Sequence, residues 1–246
     1  MTRSSSAAAS PSWRRLALPA GVVVVVVVLA VLATVSGGSE SAGSGAAAPA
    51  SDQTAAQEQL PTLADRVPGD PMALGDADAP VVMVMWSDFQ CPFCGRFARE
   101  TQPALVERYV DTGVLRLEWR DFPYIGEESV PAAVAGRAAA AQGRFWQFSE
   151  VVYGQERRPR SSDYDAAHLR EYAEQAGLDL ARYDADVAAQ VGLAEVQADM
   201  AAATGLGVAG TPTFLVNGSP VTGAQPLDSF VAVIEQAAAA AGRPAP

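Results

Sequence analysis

Hydrophobic and polar positions divide the chain into three stretches. From Leu16 to Val35 no charge interrupts the sequence, and Val22 to Val28 is a pure valine run. A helix of that length, at ~1.5 Å rise per residue, spans about the hydrocarbon thickness of a bilayer. Ser36 to about residue 68 is rich in Ser, Gly, Ala, Gln and Pro and poor in large apolar residues, the composition of a flexible tether. From about Gly69 onward the pattern becomes that of a folded domain. Val81 to Ser87 is apolar almost throughout, as in a strand covered on both faces. Helical spacing follows from about Phe93 to Thr112, with a kink expected at Pro103 and a stop at Gly113.

Val114 to Phe122 then alternates, with Leu115, Leu117 and Trp119 on one face and Arg116, Glu118 and Arg120 on the other. That reads as a half-buried strand with a solvated charged face. An Ala-rich stretch from Ser129 to about Thr204 has helical spacing and breaks near Gly143, Gly154, Gly177 and Gly192, predicting four or five helices. Thr213 to Val216, Asn217-Gly218 and Ser219 to Val221 predict a hairpin with a two-residue turn. Asn217-Gly218-Ser219 also matches a glycosylation sequon, but the turn accounts for it. A last helix is expected from about Pro226 to Ala241. The fold class is therefore α/β, with a helical insertion over about residues 129–204 of a domain spanning 69–246.

Charge and composition narrow the function. The formal net charge of -11 and the lack of a basic patch argue against a nucleic-acid partner. A single histidine, His168, excludes a multi-histidine metal site, and it reads as an exposed helix residue. Arg3, Arg14 and Arg15 precede the apolar run, which places residues 1–15 in the cytoplasm and sends the remainder across the membrane. Residues 16–35 read as an uncleaved signal anchor. The competing reading is a cleaved signal peptide and a secreted protein, but no Ala-x-Ala site follows the run.

The chemistry is concentrated in Asp88-Phe89-Gln90-Cys91-Pro92-Phe93-Cys94, which holds the only two cysteines of the chain. A strand leads into them and a helix leads away. A cysteine at a helix N-terminus faces unpaired N–H groups and a partial positive charge, which favour the thiolate. Pro92 suits the first helical position, where its missing N–H costs nothing. Cys94, one turn on, can close a disulfide with Cys91. As a structural staple so short a loop removes little unfolded-chain entropy, so redox or metal chemistry is the better reading of the spacing.

These residues resemble the DsbA-like branch of the thioredoxin superfamily. The resemblance rests on Trp86-Ser87-Asp88-Phe89-Gln90-Cys91-Pro92-Phe93-Cys94, on Arg120-Asp121-Phe122-Pro123, and on Gly207-Val208-Ala209-Gly210-Thr211-Pro212-Thr213-Phe214. It covers roughly Gly69 to Ala241. It implies a thioredoxin-like fold and a protein disulfide oxidoreductase without cofactor or metal. Cys91 would be the exposed nucleophile of lowered pKa and Cys94 the buried resolving thiol. Pro92 and Phe93 would tune the pair. By sequence physics alone Thr211-Pro212 is an ordinary proline opening an edge strand. The resemblance implies instead that Pro212 is a cis-proline facing the pair, with Thr211 beside it shaping a substrate groove. The implied partners are exported proteins with cysteine thiols and a membrane redox protein that resets the disulfide.

Two departures qualify this. Relatives often carry an acid where this chain has Met85, so a proton acceptor for Cys94 is missing. Asp88 is one substitute, though capping the loop is its expected role, and Glu118 is another. Phe93 stands where strongly oxidising relatives carry His, so the pair is expected to be less oxidising than theirs. Three functions are weighed: an oxidase assisting oxidative folding, a reductase or isomerase of exported disulfides, and a soft-metal module holding Cu(I) through two thiolates, with Met83 and Met85 nearby.

Overall fold

The computed structural model describes residues 63–154 and 162–243. The cytoplasmic tail expected at 1–15, the anchor at 16–35 and the tether up to residue 62 lie outside them. Among the described residues no helix is long and apolar enough to cross a membrane.

A five-stranded sheet organises the domain, in the order β1-β3-β2-β4-β5. Its strands are β1 (Ala73–Leu74), β2 (Val81–Ser87), β3 (Leu115–Asp121), β4 (Thr213–Val216) and β5 (Ser219–Thr222). β2 runs parallel to β3 and antiparallel to β4, with Val81 opposite Leu115 and Met85 opposite Phe214. Every residue of β2 is buried because both faces are covered. Val81, Met83 and Met85 enter the main core, and Val82, Val84 and Trp86 enter a smaller cluster with Phe122, Ala203 and Leu215. The β4–β5 hairpin closes through Asn217 and Gly218, both at positive φ, the geometry an Asn-Gly turn supplies. The Asn217 side chain is also engaged, accepting from the Val82 N–H at 2.9 Å and donating to the Pro80 carbonyl at 3.0 Å.

The helical run after β2 covers residues 92–110, alternating α1 (Pro92–Arg96), a π turn (Phe97–Thr101), α2 (Gln102–Leu105) and a second π turn (Val106–Val110). The first wide turn lies just before Pro103, which has no N–H to offer the preceding turn, so the expected kink takes the form of a local change in helix winding. Gly113, at φ +72°, ends the run. Between β3 and β4 lie α3 (Ser129–Ala140), α4 (Phe145–Tyr153), a 3₁₀ turn (Ser162–Tyr164), α5 (Ala166–Gln175), α6 (Leu180–Ala188) and α7 (Leu193–Gly205). α8 (Leu227–Ala240) closes the domain against β2 and β4. Aromatic rings knit the core. Phe89 stacks on Trp119 at 5.0 Å and meets Phe148 edge-on at 5.6 Å, and Phe97, Phe214 and Phe230 form a second group with centroids 4.6–5.3 Å apart.

Two expectations are corrected together. The charged face of β3 is not solvated: Glu118 is 0% and Arg116 2% exposed. Residues 63–68, expected as the end of the tether, run across that face. The backbone N–H groups of Asp65 and Arg66 donate to Glu118 Oε2 and Oε1 at 3.0 and 2.9 Å. Arg116 donates to Glu118 Oε1 at 2.7 Å and to the carbonyls of Gly75 and Val67, and Arg120 donates to Glu118 Oε2 at 3.0 Å. Alternation in β3 thus marks two different buried faces, one apolar and one ionic. The ionic one is satisfied because every charge meets a partner.

A second buried ionic group sits at the C-terminal end of β3. Arg137 Nε donates to Asp121 Oδ2 at 2.7 Å and Arg137 Nη2 to Asp199 Oδ2 at 2.5 Å. Burial pushes the Asp199 carboxyl up to about 6, against the Asp121 N–H and Arg137, and the neighbouring Asp121 carboxylate adds to the rise. A carboxyl raised in the folded state stabilises the fold fully only below its unfolded value of about 4, and that contribution is lost as pH climbs through its folded value. Urea midpoints of the unaltered protein should therefore fall relative to those of Asp199→Asn between pH 4 and 7. Parallel midpoints across that range would refute the assignment.

Candidate active site

The site is built where β2 ends. Asp88 turns the chain from strand to helix. Its Oδ1 accepts the Gln90 N–H at 2.8 Å, its carbonyl accepts the Cys91 N–H at 2.9 Å, and its Oδ2 accepts the N–H groups of Tyr124 and Ile125 at 2.9 and 3.0 Å. Asp88 is thus the loop cap expected of it. Burial nevertheless raises its pKa, outweighing the N–H groups of Gln90, Ile125 and Tyr124 and the Ser129 hydroxyl.

Cys91 occupies the N-cap of α1, with extended backbone at φ -79°, ψ 116°. Pro92 takes the first helical position, where its ring constrains the turn without losing a bond. Cys91 Sγ accepts the Cys94 N–H at 3.3 Å and donates to the Thr211 carbonyl at 3.3 Å. The Thr211–Pro212 peptide bond is cis, as the resemblance implied, and it brings position 211 to the sulfur across 120 residues of sequence. Both cysteines are free thiols. Met85, where relatives carry an acid, is buried in the core.

The two thiols differ in ionisation. Cys91 is brought down to about 7, chiefly by the Cys94 thiol beside it; burial opposes this, and Thr211 and the N–H groups of Cys94 and Phe93 assist. Cys94 is pushed well above its ordinary value by burial and by Cys91, against the Ser87 hydroxyl and the Asp88 N–H. In the reduced protein, iodoacetamide should therefore alkylate Cys91 with a midpoint near pH 7, while Cys94 stays unmodified through pH 9. Equal labelling of both thiols at pH 7 would contradict this asymmetry.

One expectation is corrected. Cys91 is not exposed: it is 3% accessible, because its Sγ turns in over the first helical turn and onto the Thr211 carbonyl. The open member of the motif is Phe93, 53% exposed, with the Arg96 guanidinium 5.2 Å from its ring centroid. Tyr124, 47% exposed, flanks the other side of the proline loop, its hydroxyl beside Gly210. Thr211 is partly buried. Glu118 serves the ionic face of β3 and not the thiols. His168 lies on α5, paired at 2.9 Å with Asp165 of the same turn, and its side chain is 41% exposed.

Sequence reasoning missed Ser87 and Tyr153. Ser87 Oγ lies 3.1 Å from the Tyr153 hydroxyl, which donates to the Asp88 carbonyl at 2.9 Å. Ser87 reads as an ordinary strand end, and nothing in the helical spacing of α4 marks Tyr153 as a neighbour of the cysteines.

A strand ending in an N-capping cysteine, a resolving cysteine one turn on and a facing cis-proline define the thioredoxin-fold class of redox protein. The thioredoxin family model matches residues 68–236, and the chain belongs to that family. It is 35% identical over 180 residues to the Na(+)/H(+) antiporter NhaA 3 of Salinispora tropica, covering 71% of this chain and 26% of that protein. It is 38% identical over 88 residues to the probable disulfide bond formation protein D of Bacillus cereus, covering 35% of this chain and 41% of that one. The fold is similar to that of oxidised BdbD from Bacillus subtilis, with a TM-score of 0.63, 21% identity, and coverage of 68% of this chain and 91% of that one. The chain thus spans about a quarter of the length of the antiporter it matches.

Proposed function

We propose that this protein is an extracytoplasmic thiol–disulfide oxidoreductase that passes its Cys91–Cys94 disulfide to cysteine thiols of exported proteins. The observation that carries the reading is the split between the two thiols, one lowered to about 7 at the helix N-cap and the other held high in the core. A substrate thiolate attacks Cys91 Sγ, the Cys91–Cys94 bond breaks, and Cys94 takes a proton. A second substrate thiolate then attacks the substrate sulfur of the mixed disulfide and expels Cys91. A thiol of lowered pKa leaves readily, so this release is the step the N-cap favours. The protein ends as the dithiol and the substrate as the disulfide. A redox protein of the membrane then takes the two electrons and restores the pair.

Location rests on the sequence: arginines followed by an uncharged apolar run at residues 16–35 describe an anchor with its N-terminus in the cytoplasm and the domain outside. Disulfides persist in that compartment. The occurrence of a similar stretch in a protein named as an antiporter is consistent with a working place at a membrane.

The oxidised protein should refold a reduced, cysteine-paired secreted protein such as ribonuclease, with one substrate disulfide gained for each pair reduced. A protein that instead only reduced substrate disulfides, at the expense of its dithiol form, would overturn the direction. The second reading, a reductase or isomerase, has one observation in its favour: a Cys91 value of about 7 resembles that of thioredoxin, about 7, more than that of the strongest oxidant, about 3.5. No observation favours a copper module, since Met83 and Met85 point into the apolar core.

A further inference from the structure

Cys94 presents a problem that the established parts of the site do not solve. It must ionise, or leave as a thiolate, in every turnover, yet it is buried at 1% exposure and Met85 offers no proton acceptor. The groups facing it are the Cys91 sulfur, the Ser87 hydroxyl and the Asp88 N–H. Behind Ser87 stands the Tyr153 phenol, and beyond these lie the Asp88 carboxyl and Arg99, which donates to the Tyr153 carbonyl at 2.8 Å. Tyr153 is fixed against the same helical turn as Cys94, since a Cβ placed on Gly95 would come within 3.3 Å of its ring.

Counting protons in this cluster gives it a direction. The Asp88 carbonyl can only accept, so the single Tyr153 hydroxyl proton is committed to it at 2.9 Å. The Tyr153 oxygen is then free only to accept, so in the dithiol form the 3.1 Å contact is a bond from Ser87 to Tyr153. The Ser87 oxygen faces Cys94 with its proton turned away, while the Cys94 S–H is directed to the Cys91 sulfur. When Cys94 loses its proton, the Ser87 hydroxyl is the side-chain donor at hand, and rotation about one bond turns it from Tyr153 to the sulfur.

We propose that Ser87 is a catalytic hydroxyl rotor for Cys94 and that Tyr153 is its positioning residue, holding the rotor in the setting that favours the thiol. This assignment rests on the reading of Cys91–Cys94 as an exchanging pair. Ser87 does not take the proton away. It exchanges a neutral bond to Tyr153 for a charge-assisted bond to the Cys94 thiolate, which is the stronger of the two. When Cys94 attacks Cys91 Sγ in a mixed disulfide, the new S–S bond forms, the bond to the outer sulfur breaks, and the departing thiolate is protonated.

The rotor predicts effects of opposite sign. Ser87→Ala removes the donor to the thiolate. Tyr153→Phe leaves that donor in place and removes the bond that holds it away from the thiolate, together with the phenol's own bond to the Asp88 carbonyl. The full chain, reduced and mixed with oxidised glutathione, forms a Cys91–glutathione disulfide that Cys94 resolves by releasing a second glutathione; quenched samples weighed by mass spectrometry follow each step from pH 6 to pH 9. In Ser87→Ala, resolution should slow by about tenfold at pH 7 and its midpoint should move up, while alkylation of Cys91 stays within about twofold. In Tyr153→Phe, resolution should be as fast or faster and its midpoint should move down. Slowing of both variants alike would mean packing and overturn the rotor, as would unchanged resolution in Ser87→Ala. If the unaltered protein held glutathione without releasing it, the exchanging-pair reading would fall and the rotor with it.

Discussion

Cys94→Ser should trap the protein on its substrates, whereas Cys91→Ser should leave no covalent adduct at all. Cys91 alone combines the N-cap position, the lowered pKa and the contact with the cis-proline loop. With Ser at position 94, a Cys91 thiolate still attacks a substrate disulfide, but no second thiol expels the bound chain. Mixed disulfides should then accumulate as bands that collapse on reduction. With Ser at 91, the remaining thiol is buried and its pKa is held high, so exchange should fall by at least about a thousandfold, as when other enzymes lose their nucleophile. Non-reducing electrophoresis after incubation with a disulfide-bonded substrate separates the cases. Adducts formed by Cys91→Ser and not by Cys94→Ser would reverse the roles.

Glu118→Ala should be the most damaging substitution away from the thiols. Burial alone would push this carboxyl up, but Arg116, the N–H groups of Asp65 and Arg66, and Arg120 together bring it below its usual value. Removing it leaves Arg116, 2% exposed, without its ionic partner and frees two backbone N–H groups. Breaking a buried pair from one side costs about 3–5 kcal/mol. The loss should appear as a lower urea midpoint and as release of the 63–67 segment to proteolysis. Because the pKa is depressed, the stabilisation is present above about pH 4 and is lost as pH falls through the folded value. A variant within about 1 kcal/mol of the unaltered protein would show that the ionic face is dispensable.

Some of this was legible in the chain. β2 announces itself as a continuous apolar run because both of its faces are covered, and the Asn217-Gly218 turn because only those residues accept two positive φ values cheaply. The N-capping role of Cys91 follows from a strand, Pro92 and a helix in that order. β3 misled. Its alternation of apolar and charged residues has the period of a half-solvated strand, and periodicity does not distinguish water from a shell of arginines and backbone N–H groups. The arginines are those of β3 itself, and the N–H groups come from Asp65 and Arg66, in a segment whose composition resembles the tether it follows. The burial of Cys91 was equally hidden, since it depends on the Thr211 carbonyl 120 positions away. Ser87 and Tyr153, 66 positions apart, meet because α4 packs on α1, a contact that no local pattern encodes. Asp88 was readable as a cap, but the two N–H groups it takes from positions 124 and 125 were not.

The central claim is that Cys91 and Cys94 form a reversible disulfide poised to accept electrons, with Phe93 leaving it milder than the strongest oxidants of its kind. Equilibrating the full chain in glutathione buffers and counting free thiols gives its reduction potential directly. The account predicts a value above that of thioredoxin, about -270 mV, and below that of the strongest oxidant, about -120 mV. A value at or below about -270 mV, or two thiols that never close a reversible disulfide, would contradict it.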